Sequence, residues 1–62
     1  MEIFILQCCS KKDEQRQFSI VGVFDSISHA KEYISQEDEY DHFIDRYHAG
    51  APCSARRVYQ SW

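Results

Sequence analysis

Glu37-Asp-Glu-Tyr40-Asp-His-Phe-Ile-Asp45-Arg-Tyr-His-Ala49 is the stretch whose reading decides whether this chain carries one helix or two. Tyr40, Phe43, Ile44 and Tyr47 stand at i, i+3, i+4 and i+7, the spacing of one helix face. Acidic residues crowd the start, and Arg46 and His48 lie near the end, an order that suits the helix dipole. Gly50 follows as a C-terminal cap and Pro52 as a stop. The same residues also read as a strand from His42 to His48, with Phe43 and Tyr47 on one face. The helical reading is preferred.

Upstream lies a clearer unit, Phe18-Ser-Ile-Val-Gly-Val-Phe-Asp-Ser-Ile-Ser-His-Ala-Lys-Glu-Tyr-Ile34. Its first part, Phe18 to Phe24, is rich in β-branched and aromatic residues and reads as a strand. Gly22 inside it marks a bulge or a close approach by another group. Asp25 or Ser26 caps a helix predicted from Ile27 to about Gln36, with Ile27, Ala30 and Ile34 as its core face. Before this unit, Glu2 to Cys9 reads as a strand with the continuous apolar run Ile3 to Leu6. The polar segment Ser10 to Gln17 then reads as the long connection of a β-hairpin, lacking the signals of a two-residue turn. After the ambiguous stretch, 50–54 reads as a turn. Ala55 to Trp62 reads as a last strand, with Trp62 tied down by packing.

Length and composition set the bounds. A single domain of 62 residues buries only about 60% of its unfolded surface. Its stability is expected at roughly 3–9 kcal/mol, which leaves room for a homodimer or a bound partner to add to it. With 44% hydrophobic residues and nine aromatics the chain is globular, not disordered. A net charge of −3 argues against nucleic-acid binding by bulk electrostatics. Three cysteines, two of them adjacent (Cys8 and Cys9), fit a reducing cytosol better than a disulfide scaffold. No apolar run reaches the ~20 residues of a membrane span, and no targeting signal stands out. The expected setting is cytoplasmic, with no membrane partner.

A strand beginning at Glu2, a polar loop, then Ile20-Val-Gly-Val-Phe-Asp-Ser26 with Ala30 and Tyr33-Ile34, and a late aromatic strand form an ordered pattern. It resembles a group of small bacterial and phage domains of unknown function, built as hairpin, helix and closing strand. The resemblance covers residues 2–36 best. It implies a bacterial or phage cytosolic accessory protein and transfers no catalytic residues.

Cys8, Cys9, Cys53, His29, His42 and His48 lack the paired spacing of a structural zinc site, so neither a metal nor a cofactor is expected. A Cys/His nucleophile would need a carboxylate such as Asp41 or Asp45 to orient His42 or His48. No spacing shows that convergence, and no enzyme is expected. Aromatic residues exceed what a small core needs, and Tyr and Trp often anchor interfaces. The fold class expected is α+β: an antiparallel sheet of about three strands with one or two helices packed on one face. The function expected is non-catalytic binding of another protein, as a phage or mobile-element inhibitor or modulator of a host protein. Glu37, Asp38, Tyr40, Asp41, Asp45 and Tyr47 would form its acidic and aromatic docking face. The alternative is nucleic-acid binding through Lys11, Lys12, Arg16, Arg56 and Arg57.

Overall fold

The computed structural model describes residues 1–34, 39–48, 50 and 55–62. Its elements are β1 (Glu2–Ser10), β2 (Ser19–Phe24), α1 (Ile27–Lys31), β3 (Tyr40–His48) and β4 (Arg56–Gln60). The strands form one antiparallel sheet in the order β2-β1-β3-β4. The expectation of about three strands with one or two helices on a face is therefore corrected. Among the described residues the chain is mostly a four-stranded sheet with one short helix.

The preferred helix over 37–49 is a strand over its described part. Tyr40 and Ile44 fall on one face of β3 and Phe43 and Tyr47 on the other, so four residues with helical spacing divide evenly between two strand faces. What selects the strand is non-local. β3 pairs with β1 along its whole length, from Glu2↔His48 to Ser10↔Tyr40. Lying between β1 and β4, it is buried on both sides at its centre: Asp41, His42, Phe43 and Ile44 are all buried. That double burial removes the alternation that would have marked a half-covered strand.

α1 starts where expected. Ser26 is its N-cap, and its hydroxyl accepts from the His29 amide at 3.1 Å. It ends far earlier than Gln36. Glu32 occupies the C-cap, where the helix dipole disfavours an acid. The following amides of Tyr33 and Ile34 bond three residues back, to Ala30 and Lys31, at 3.1 Å each, a tightening that closes the helix. Among the described residues no helix is long and apolar enough to cross a membrane.

α1 lies over β1 and β2. Beneath it Phe4, Leu6, Ala30 and Ile44 form the core, flanked by Phe24, Ile27, Ile34, Val58 and Tyr59. Gly22 belongs to this face. A Cβ there would sit 2.9 Å from the Phe24 ring, which folds back over it. The hairpin register shifts beside Gly22, between Leu6 and Gln7, so that Val21 is bulged out of the ladder.

The long connection between β1 and β2 is built on Asp13. Its carboxylate accepts from the amides of Gln15 at 3.0 Å and Gln17 at 3.1 Å. Those bonds hold its pKa below the ordinary value. Arg16 takes a φ of 53° at the end of this turn. The loop leans toward β3, where the Lys11 amide donates to Glu39 O at 3.0 Å.

Candidate interaction surface

Side chains alternate across a sheet, so the register fixes what the face opposite α1 presents. β1 contributes Ile3, Ile5, Gln7 and Cys9, and β3 contributes Asp41, Phe43, Asp45 and Tyr47. Val23 sits beside Ile5 and Ile20 beside Gln7 on β2. Arg57 sits beside Asp45 and Gln60 beside Phe43 on β4.

One end of this face is capped. Phe18 and Trp62 stack at 5.6 Å between ring centroids. Both meet Phe43 edge-on, at 4.9 and 6.2 Å. Arg57 lies 4.1 Å above the Phe43 ring, and Arg16 lies 5.7 Å from the Trp62 ring, distances at which a guanidinium is attracted to a π-face. The same arginines hold the acids. Arg16 Nη2 reaches Asp41 Oδ2 at 2.7 Å, and Arg57 Nε reaches Asp45 Oδ1 at 3.3 Å. The hydrogen bond to Asp41 is the largest cause of Arg16's raised pKa. Ser61 completes the cap: its hydroxyl accepts from the His42 amide at 2.9 Å, and its own amide donates to His42 O at 3.0 Å.

The other end is bare. Ile3, Ile5 and Tyr47 are half-buried, while Val23 is 59% exposed; on the outer strand Ile20, level with Gln7 and Phe43, is 64% exposed. Val21, on the outer strand, is 44% exposed. β2 carries no charged residue and no proline, the usual devices that blunt an outer strand. β4, the opposite edge, carries Arg56 and Arg57. The sequence pattern of Phe18–Phe24 gives the strand's two faces but not its rank in the sheet, so the exposure of Ile20, Val21 and Val23 is not read from it.

The acidic and aromatic docking set does not come together. Glu37 and Asp38 lie outside the described residues. Tyr40 is exposed on the α1 side of the sheet, whereas Asp41, Asp45 and Tyr47 lie on the opposite side. Asp41 is buried and Asp45 is engaged by Arg57. The basic set also divides. Lys11 and Lys12 are exposed on the β1–β2 connection, and Arg16 and Arg57 flank the aromatic cap. Arg56 pairs with Arg46 on the α1 side of the sheet.

The cysteines and histidines separate in the same way. Cys9 is buried; its thiol donates to Ser10 O at 3.3 Å and lies 3.8 Å from Asp13 Oδ2. Burial pushes its pKa up, opposite to what an activated thiolate needs. Cys8 stands opposite buried His42 on the α1 side. Burial pushes the His42 pKa down. Asp41 and Asp45 project from the other face, so neither orients that imidazole. Among the described residues no three His, Cys, Asp or Glu side chains gather as a metal site would require; Cys53 lies outside them. No protein family, curated protein or solved structure matches this chain.

Proposed function

We propose that the protein is a non-catalytic protein-binding module that docks its partner on the bare half of the sheet. The observation that carries this reading is the patch of Ile3, Ile5, Ile20, Val23 and Tyr47, left open beside a neutralised cap. An apolar surface rimmed by polar groups is the usual form of a protein interaction site. In this role the chain is an accessory factor that modulates whatever it covers. Asp41 and Asp45 contribute by setting the rim, and they do so already paired.

The test uses immobilised wild-type protein and a Val23→Lys variant. Val23 is exposed, so the lysine leaves the fold intact while placing a charge in the patch. Protein retained by the wild type and lost from the variant supports the reading. Equal retention by both overturns it.

A second reading, single-stranded nucleic acid, is favoured by one observation: Arg16 and Arg57 flank the Phe18–Trp62 stack. Aromatic rings beside cations form stacking platforms for bases. Both arginines are engaged by carboxylates, which places this reading second. Labelled oligonucleotide binding that weakens steeply with salt and disappears in Trp62→Ala would promote it.

A further inference from the structure

We infer that the α1 side of the sheet carries a separate binding site, in which Arg46 and Arg56 close on one oxyanion of the phosphate class. The site is independent of the docking surface above, which lies on the other side of the sheet.

Strand register singles out these two arginines. Arg46 on β3 and Arg56 on β4 are direct cross-strand partners, which roots the two side chains ~5 Å apart on one face. Like charges so placed are destabilising. The opposite face treats its arginines differently: Arg16 meets Asp41 and Arg57 meets Asp45, one acid for each. Around Arg46 and Arg56 that balance is broken. Among the described residues no carboxylate pairs with Arg56, and the acid facing Arg46 is Glu2, whose Oε1 lies 3.9 Å from Nη1. That separation is longer than a hydrogen bond. The same Glu2 oxygen is shared with His48, 3.4 Å from its Nε2. Lys31 adds a cation on this side, 5.1 Å from the Tyr59 ring. Tyr59 pairs with Ile44, two residues before Arg46 on the same face of β3.

The Arg46 guanidinium is also under-bonded. Its Nε is buried and has no hydrogen-bond partner among the described residues, while the side chain as a whole keeps 32% of its surface in water. A buried donor without an acceptor is costly. Because Nε itself is out of a ligand's reach, the delocalised charge can be answered only at the outer edge of the group. A tetrahedral oxyanion suits that demand. Each guanidinium offers a planar fork of N–H donors matched to phosphate oxygens, and one dianion can accept from both forks. Glu2 brings a single charge and divides it between Arg46 and His48. Arg46, Arg56 and Lys31 against Glu2 leave an excess of positive charge, which a dianion cancels and a further carboxylate would cancel only in part.

The experiment is an NMR titration that follows the arginine Nε–H resonances while inorganic phosphate, or separately a nucleoside monophosphate, is added at an ionic strength held constant with sodium chloride. Both probes are expected to shift the Arg46 and Arg56 resonances saturably and to raise the melting temperature. Tighter binding of the nucleotide assigns the phosphate to a carrier, and equal binding assigns it to the free ion; the site stands in either case. Arg56 is exposed, so its variants keep the fold. Arg56→Gln is expected to weaken binding about tenfold or more. Arg56→Glu sets an acid opposite Arg46. It is expected to abolish binding and to raise the melting temperature of the ligand-free protein, because an opposite-charge pair replaces a like-charge one. Lys12→Gln, on the exposed β1–β2 connection, is expected to bind like the wild type. Three results overturn the inference: no saturable shift with either probe, shifts reproduced by sodium chloride alone, or binding that survives in Arg56→Glu.

Discussion

Replacing Trp62 with alanine tests whether the cap holds the second face of the sheet. The ring is 52% exposed, so roughly half of the ~250 Å² a tryptophan can bury is removed from water. About 120 Å² at ~25 cal/mol/Å² corresponds to about 3 kcal/mol. A compact unfolded chain already hides part of that area, which brings the figure to about 2 kcal/mol. The stack on Phe18 and the edge contact with Phe43 restore roughly 0.5–1.5 kcal/mol of specific ring interaction. The expected loss is about 2.5–3.5 kcal/mol from a stability of roughly 3–9 kcal/mol. For a chain of this size that lowers the melting temperature by about 10–28 °C.

The assay is thermal and urea unfolding followed by far-ultraviolet circular dichroism, which does not depend on the lost indole. Both proteins are compared at one fixed protein concentration, because association of any kind makes the melting temperature depend on concentration. Trp62→Phe, which keeps a ring on Phe18, is expected to lose about half as much. A midpoint for Trp62→Ala within about 2 °C of its parent would mean the ring makes no packed contact with Phe18 and Phe43, and the cap argument would fall.

Three further outcomes follow from single contacts. Gly22→Ala places a methyl 2.9 Å from the Phe24 ring and is expected to cost about 1–3 kcal/mol, measured as a shift in the urea midpoint; Gly22→Ala with Phe24→Leu recovers part of it. Ser26→Ala removes the acceptor for the His29 amide and is expected to cost about 1 kcal/mol, read by the same assay. Burial holds the His42 pKa below its ordinary 6.5, so the unfolded chain binds a proton at a pH where the folded one does not. Its contribution is fully present above the unfolded value and is lost as the pH falls below it. Unfolding measured from neutral to mildly acid pH is therefore expected to show a slope in the wild type that is reduced in His42→Gln; an unchanged slope would place the titration elsewhere.

Local chemistry was legible and partner identity was not. The β1–β2 hairpin, the Ser26 cap and a late strand follow from residues within a few positions of one another. The Tyr40–Tyr47 pattern fits a helix face as well as two strand faces, and only the nine-residue ladder with β1 separates the two. The acids of the expected docking face illustrate the same limit. Asp41 is claimed by Arg16, 25 positions away, and Asp45 by Arg57, 12 away. A charge count shows an acidic stretch and two basic groups. It does not show that strand register sets them against each other. Alternation along Phe18–Phe24 gives two faces, whereas the outer-strand position that exposes Ile20, Val21 and Val23 is a property of the whole sheet.

A four-stranded sheet has two faces to cover, and a five-residue helix covers part of one. Among the described residues, Leu6 and Ile44 beneath α1 and Ala30 on it are the apolar side chains fully removed from water, too little apolar area to carry the fold alone. The opposite face therefore has to contribute. Phe43 does so only if water is kept off it, which is the work of Phe18, Trp62 and the two arginines that lie over the rings. Those arginines need counter-charges on the same face, and β3 supplies them as Asp41 and Asp45, each two positions from Phe43. The acidic character of that stretch is thus explained by the cap it neutralises, and no basic partner is required to account for it. What the cap leaves over, Ile3, Ile5, Val23 and Tyr47, has no local solution among the described residues. That remainder is apolar, and Asp45 at its border is already held by Arg57, so a partner docking there would gain its affinity from apolar contact rather than from charge.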